Sequence, residues 1–184
     1  MLVVAGRTGP NRSVRFGDEN NPLDERGRRD AAALVAALPD LGPIGAGVRV
    51  GPELSVRQTA ELLGETFAVD DGLASLDVGA WRGRRPEELE PAELGPWFTD
   101  PSSRPHGGES VAEFVARIRA HVDAMHPASM MVVAKPVAQA LLCTGPAEFF
   151  ATELRPASSH RRRLDMTSQN HDGASTPVVR NRFR

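Results

Sequence analysis

Short apolar runs alternate along the chain with longer segments of helical periodicity. Residues 2–5 and 130–134 are continuously apolar, which is typical of strands buried on both faces, and residues 48–50 predict a third short strand. Residues 28–38 and 55–67 carry apolar side chains three and four positions apart, which predicts amphipathic helices. The alternation predicts a three-layer α/β/α fold with helices on both faces of a mostly parallel sheet.

A different pattern occupies residues 72–106, where Pro, Gly, Glu and Arg are frequent around two tryptophans. This composition predicts a long excursion outside the sheet, with short helices at residues 86–89 and 91–97. Long ordered loops often build binding sites, so we expect the excursion to lie on the pocket side of the domain.

The C-terminal third is predicted to hold two more helices and a hairpin. Ser110 and Glu113 have the spacing of a capping box, which predicts the start of a long helix. An apolar helix is predicted over residues 137–143. Strand-like stretches on either side of an Asp-Gly pair at residues 172–173 predict a basic C-terminal hairpin within residues 158–184.

Length and composition indicate a single globular domain over residues 1–184, with 40% hydrophobic and 25% charged residues. The longest apolar run, residues 130–134, is far shorter than the roughly 20 residues that cross a bilayer, and no leader pattern is evident at Met1. We therefore expect a cytoplasmic protein without a membrane partner. Cys143 is the only cysteine, and no Cys/His cluster has metal-ligand spacing, so neither a metal nor another cofactor is expected.

Charge is distributed unevenly around the formal net value of −2, since residues 155–184 hold seven basic and two acidic side chains. Arginines in this tail could neutralise nucleic-acid phosphates, but aromatic residues make up only 5% of the chain and tyrosine is absent. We therefore do not expect nucleic acid as a partner. A basic edge hairpin explains the tail more simply, and it could also dock an acidic protein or a second copy of the chain.

Several motifs occur in the order found in the histidine phosphatase superfamily, the phosphoglycerate-mutase-like group, which the chain resembles. They are Gly6, Thr8 and Asn11 in the opening loop, Pro-Leu-Asp-Glu-Arg-Gly at 22–27, Arg-Gln-Thr-Ala at 57–60, Leu-Asp-Val-Gly-Ala-Trp-Arg-Gly at 76–83 and Gly-Gly-Glu-Ser at 107–110. The resemblance implies a pocket at the carboxyl ends of the strands and phosphoryl transfer through a phosphohistidine.

The catalytic positions of that family are changed in this chain. The motif register places Val4 at the first arginine, Ala5 at the nucleophilic histidine, Ser55 at the second arginine, Ser75 at the acid and Lys135 at the second histidine. Alanine cannot accept a phosphoryl group, and losing two guanidinium groups removes charge that stabilises a transferring phosphoryl group. The sequence therefore predicts a degenerate member without phosphohistidine chemistry.

Lys135 is the leading candidate for a functional side chain because it is the only lysine among 22 basic residues. Its amine could simply reach solvent or a nearby carboxylate. Alternatively, a partly desolvated ammonium could bind an anionic or carbonyl oxygen, act as a base or form a Schiff base.

Five other residues are candidate ligand contacts. Arg7 is either a rim residue in solvent or a second cation, and Asn11 either orients a polar ligand or caps its own loop. Ser55 and Ser75 are expected to line the pocket. His106 either reaches the pocket mouth or remains a solvated loop residue.

Two functions remain open at this point. The leading hypothesis is a binding or interaction module for a small-molecule ligand or a protein partner. The alternative is a repurposed, cofactor-independent enzyme of the isomerase, dehydratase or hydrolase type that acts on a small organic metabolite through Lys135.

Overall fold

A five-stranded, mostly parallel sheet forms the centre of the molecule. The computed structural model describes residues 1–9, 15–17, 20–37, 47–64, 66–125 and 130–161. Its strands are β1 (Leu2–Val4), β2 (Val48–Val50), β3 (Phe67–Val69), β4 (Met130–Val133) and β5 (Ser158–His160), in the order β3-β2-β4-β1-β5. All neighbours are parallel except β5, which runs antiparallel to β1. The predicted α/β class is confirmed.

The described part of the chain contains five α-helices. They are α1 (Glu25–Ala37), α2 (Leu54–Leu62), α3 (Pro91–Thr99), α4 (Val111–Ala124) and α5 (Lys135–Leu142). α1 packs against α2, and α4 packs against α5. The connections through α1 and α2 lead from β1 to β2 and then to β3. Those through α4 and α5 lead back across the sheet to β4 and then to β5. Right-handed connections therefore place the two pairs on opposite faces of the sheet.

β3 is a strand where the sequence predicted the end of a helix. The expected helix over residues 55–67 stops at Leu62, and Gly64 follows it with a φ of +76°. Glycine adopts this left-handed conformation without the steric penalty of a Cβ, and it commonly ends helices in this way. Phe67 is then free to begin a three-residue edge strand, which is too short and too exposed to show a clear pattern in the sequence.

The excursion over residues 72–106 lies outside the sheet but shares its core. It contains α3 and single helical turns at residues 79–81 and 86–88. Trp81 and Trp97 are buried, with ring centroids 5.4 Å apart at a near-perpendicular angle. The two tryptophans therefore attach the excursion to the body of the domain.

The predicted C-terminal hairpin falls mostly on residues 162–184, outside the described part of the chain. Within the described part, β5 pairs with β1 along its whole length, from Leu2 opposite His160 to Val4 opposite Ser158. β5 thus covers the edge of β1 that β4 leaves open.

Candidate functional site

The carboxyl ends of β1, β2 and β4 meet at one edge of the sheet. Ala5 donates its N–H to Val133 O at 2.9 Å, and Gly51 donates to Val132 O at 3.0 Å. These bonds place the loops that follow the three strands side by side, which is where ligands bind in open α/β sheets.

A threonine hydroxyl fixes the start of α2 against the loop after β1. Thr59 Oγ1 accepts the Gly6 N–H at 3.0 Å and donates to Ser55 O at 2.7 Å. Ser55 is buried in the first turn of α2, close to the end of β1. These two bonds join the first turn of α2 to the loop that follows β1.

Lys135 is the first residue of α5, directly after the end of β4. Its side chain is exposed. Of the two interpretations of this lysine, the geometry agrees with an amine that reaches solvent.

Arg7 points towards the start of α1. Its guanidinium lies 2.8 Å from Asp24 Oδ2. Burial raises the pKa of Asp24, but the hydrogen bond from Gly27 N–H and the pairing with Arg7 outweigh it, so the pKa is lowered overall. Arg7 also lines a surface cleft of about 340 Å³ with Arg26, Asp30, Arg155 and Pro156. Here the positive charge of Arg7 is balanced by Asp24.

Ser75 lies beside a buried carboxyl group that the sequence did not single out. Ser75 donates its N–H to Glu53 Oε1 at 2.6 Å, and the Glu53 residue is only 8% exposed. Glu53 Oε2 and Ser75 Oγ are buried without a hydrogen-bond partner among the described residues. Burial raises the pKa of Glu53, and this outweighs the lowering by the Ser75 N–H, by the backbone N–H of Glu53 itself and by the positive charge of Arg117.

The backbone around Glu53 leaves room for its carboxyl group. A Cβ on Gly51 would come within 2.9 Å of Glu53 Oε2. Arg117 braces the neighbouring loop, since it donates to Gly72 O at 3.3 Å and Ala74 O at 3.2 Å while it pairs with Glu109 at 2.7 Å. An acidic residue in front of a helix is usually a cap, but Glu53 makes no side-chain cap bond. The acidic residue directly before α2 was the one feature of the sequence that could have pointed to Glu53.

Glu53 lines one of two small clefts that share lining residues. The polar cleft, of about 190 Å³, is lined by Gly17, Asn20, Pro52, Glu53, Ala74, Ser75, Leu76 and Arg82. The aromatic cleft, of about 150 Å³, is lined by Arg15, Phe16, Gly17, Leu76, Val78, Trp97, Pro136, Gln139, Phe149 and Phe150. The clefts adjoin because both include Gly17 and Leu76.

His106 is neither a solvated loop residue nor a lining residue of these two clefts. It is 3% exposed, and its ring lies 5.0 Å from that of Trp81 between centroids. Nδ1 accepts the Gly108 N–H at 3.0 Å, and Nε2 is buried without a partner in the described structure. Burial lowers the pKa of His106 more than the negative charge of Asp77 raises it. The ring is therefore a neutral part of the aromatic core.

The other two described histidines have their own neighbours. His121 Nε2 lies 2.9 Å from Asp70 Oδ1, and His160 Nε2 lies 3.0 Å from Ser158 Oγ. Asn11, the remaining candidate contact, lies outside the described residues. Within the described ranges, no three His, Cys, Asp or Glu side chains are grouped as metal ligands, and no helix has the length and apolarity to span a bilayer.

Comparison with known proteins identifies the family of this chain. Residues 1–169 match the model of the histidine phosphatase superfamily, branch 1. The chain belongs to that superfamily. It is 32% identical over 127 residues to the bifunctional protein Rv2228c of Mycobacterium tuberculosis, which is 65% of this chain and 35% of that protein. The chain thus spans about a third of the length of the curated relatives it matches.

Solved structures agree with the family. A phosphoglycerate mutase from Thermus thermophilus superposes with a TM-score of 0.63 at 28% identity, covering 77% of this chain and 80% of that one. A structure described as mycobacterial hydrolase 1 gives a TM-score of 0.70 at 25% identity, with 85% of each chain covered. Both of these solved structures share the α/β fold of this chain.

Proposed function

We propose that this protein is a histidine phosphatase superfamily member that does not perform phosphohistidine chemistry and instead binds a small-molecule ligand beside the strand ends. The observation that carries the proposal is the apolar character of the residues at the end of β1. Val4 is fully buried and Ala5 is 6% exposed, and both have apolar side chains. Neither side chain can attack phosphorus or bind a phosphate oxygen.

The charges around this edge support the same conclusion. Ser55 is neutral and buried, and Lys135 is exposed. Arg7 is paired with Asp24 at 2.8 Å. A transferring phosphoryl group needs several cations aimed at its oxygens in a site without water. The described residues supply no such cluster at the end of β1.

The alternative of an enzyme that uses Lys135 has less support. Nucleophilic or imine chemistry by lysine depends on an enclosed amine. Lys135 is exposed and lines neither the polar nor the aromatic cleft. Ligand binding without chemistry at this lysine is therefore the better-supported function.

Phosphatase assays test the proposal directly. We expect purified protein to release no p-nitrophenol from p-nitrophenyl phosphate, and no phosphate from 3-phosphoglycerate, beyond the buffer rate. The Lys135→Ala variant should give the same result. Turnover that co-purifies with the protein and exceeds the buffer rate tenfold would overturn the proposal, and its loss in Lys135→Ala would support the alternative enzyme.

A further inference from the structure

Two residues that line the polar cleft each carry a buried oxygen without a hydrogen-bond partner in the described part of the chain. Glu53 Oε2 and Ser75 Oγ have no hydrogen-bond partner among the described residues, although Glu53 Oε1 accepts the Ser75 N–H. A buried polar atom without a partner typically costs about 1–3 kcal/mol, and more when it is charged. Both residues line the polar cleft, so a bound group there could satisfy both oxygens.

The charged groups around Glu53 leave its carboxylate unbalanced. Arg117 is the nearest cation that influences it, but this guanidinium already pairs with Glu109 at 2.7 and 2.9 Å. Arg82, on the rim of the polar cleft, lies 3.4 Å from Asp77 and is 60% exposed. Glu53 makes no ion pair in the described part of the chain, which favours a positive ligand group over a phosphate next to its carboxylate.

The adjoining aromatic cleft has the opposite character. The rings of Phe16, Trp97, Phe149 and Phe150 line it, together with Leu76, Val78 and Pro136, and Arg15 and Gln139 are the polar side chains of its lining. Phe16 and Trp97 meet edge to face with centroids 5.5 Å apart, as do Trp97 and Phe150 at 4.7 Å. An apolar or aromatic group would bury its surface in this cleft.

From these two clefts we propose the ligand class of the site: a small amine with an apolar or aromatic body. Its ammonium group lies against Glu53 and Ser75, and its body enters the aromatic cleft. An ammonium group has three donors and no acceptor, so it satisfies both unpaired oxygens and neutralises the buried carboxylate. The inference rests on the proposed function, since it names the ligand of the same remodelled site.

Binding of two amine probes tests this inference. We expect 2-phenylethylamine and tryptamine to bind the full chain in isothermal titration calorimetry at pH 8, at least tenfold more tightly than 2-phenylethanol and phenyl phosphate. The alcohol keeps the ring and removes the positive charge, whereas phenyl phosphate keeps the ring and reverses the charge.

Two substitutions, one just before α2 and one within it, provide the matched control. Glu53→Gln keeps the shape and the acceptor for Ser75 N–H, and it should weaken amine binding at least tenfold. Glu61→Gln removes an exposed carboxylate further along α2 and should leave amine binding unchanged. Circular dichroism of both variants verifies that they are folded.

The contrary outcomes separate this inference from the proposed function. Equal affinity for the amine and the alcohol, no binding of either amine, or unchanged binding by Glu53→Gln would overturn the ligand class. The proposed absence of phosphohistidine chemistry would still stand in each of these cases, because only turnover of phosphate esters contradicts it.

Discussion

At Glu53 the chain buries an ionisable group where Oε1 accepts a hydrogen bond and Oε2 has no partner among the described residues. Such a group is costly to ionise, because a charged carboxylate loses its hydration on burial. Natural proteins usually retain a buried, unpaired acid for a reason other than stability. That expectation underlies the ligand class proposed for the polar cleft.

A comparison of wild type with the Glu53→Gln variant should reveal the cost of ionising Glu53 as a difference in stability that depends on pH. Burial raises the pKa of Glu53 above its ordinary value, so the folded chain binds this proton more readily than the unfolded chain. Wild-type stability therefore falls, relative to the variant, as pH rises from about 4.5 through the raised pKa. Urea unfolding at pH 4.5 and pH 8 measures the difference, which should move in favour of the variant at pH 8. A difference that does not change with pH would contradict the raised pKa.

At the scale of elements, the start of α1 depends on a close backbone approach to the loop after β1. Asp24 N–H donates to Arg7 O at 3.1 Å, and Asp24 Oδ1 accepts the Gly27 N–H at 2.6 Å. A Cβ on Gly27 would lie 2.1 Å from Arg7 O and 2.9 Å from Arg7 N. These neighbouring atoms belong to the backbone, so they cannot move aside as a flexible side chain could.

Replacing Gly27 by alanine should therefore destabilise the protein, although alanine normally stabilises a helix by about 0.5–1 kcal/mol over glycine. We expect a net loss of roughly 1–3 kcal/mol, as for other overpacked sites. Arg28→Ala, the exposed neighbour in α1, should change stability by less than about 0.5 kcal/mol. Thermal unfolding of wild type and the two variants measures these changes in stability. If Gly27→Ala were as stable as Arg28→Ala, the predicted clash between a Cβ at position 27 and the Arg7 backbone would be wrong.

The elements differ in how well the sequence predicts them. β1 and β4 are buried on both faces and appear as continuous apolar runs, so their places were predictable. The capping box also appears as predicted, because Ser110 and Glu113 bond each other's backbone N–H groups locally. β3 was missed since its three residues are half-buried or exposed and lack a pattern. A strand at the sheet edge depends on its partner β2 more than on its own residues.

For the whole molecule, one aromatic cluster joins the excursion to the α/β body. His106 lies within it, with its ring centroid 5.0 Å from that of Trp81 and 6.0 Å from that of Trp97. Burial lowers the pKa of His106 below its ordinary value of 6.5. At low pH the unfolded chain binds a proton at His106 more readily than the folded chain does. The contribution of His106 therefore lowers the free energy of unfolding as pH drops below about 6.5 and does not change it above that pH.

The His106→Asn variant should weaken this acid-side dependence. Asparagine can still accept the N–H of the residue two positions on, as His106 does from Gly108, but it does not titrate. We expect it to be less stable at pH 7.5 by about 2–4 kcal/mol because the smaller side chain leaves a cavity. Between pH 7.5 and 5.5 it should lose less stability than wild type, measured by urea unfolding with tryptophan fluorescence. Parallel losses in the two proteins would assign the acid sensitivity to other groups.

The candidate site was predictable only in part, because its parts meet through tertiary structure. Motif order predicted a site at the carboxyl ends of the strands, and of the two serines expected to line it, Ser75 lines the polar cleft whereas Ser55 lines none of the clefts described above. Nothing in the sequence showed that Glu53 turns inward against Ser75, since Gly51 and the loop held by Arg117 create the space for it. The burial of His106 likewise depends on two tryptophan rings that are distant from it along the chain.

The single lysine has a practical consequence for experiments on this molecule. Lys135 is the only lysine in the sequence, its side chain is exposed, and the next residue, Pro136, lines the aromatic cleft. An amine-directed fluorophore therefore has one side-chain attachment point in this sequence. A dye coupled there is attached one residue away from the lining of the aromatic cleft, so we expect its emission to respond to occupancy without any engineered cysteine.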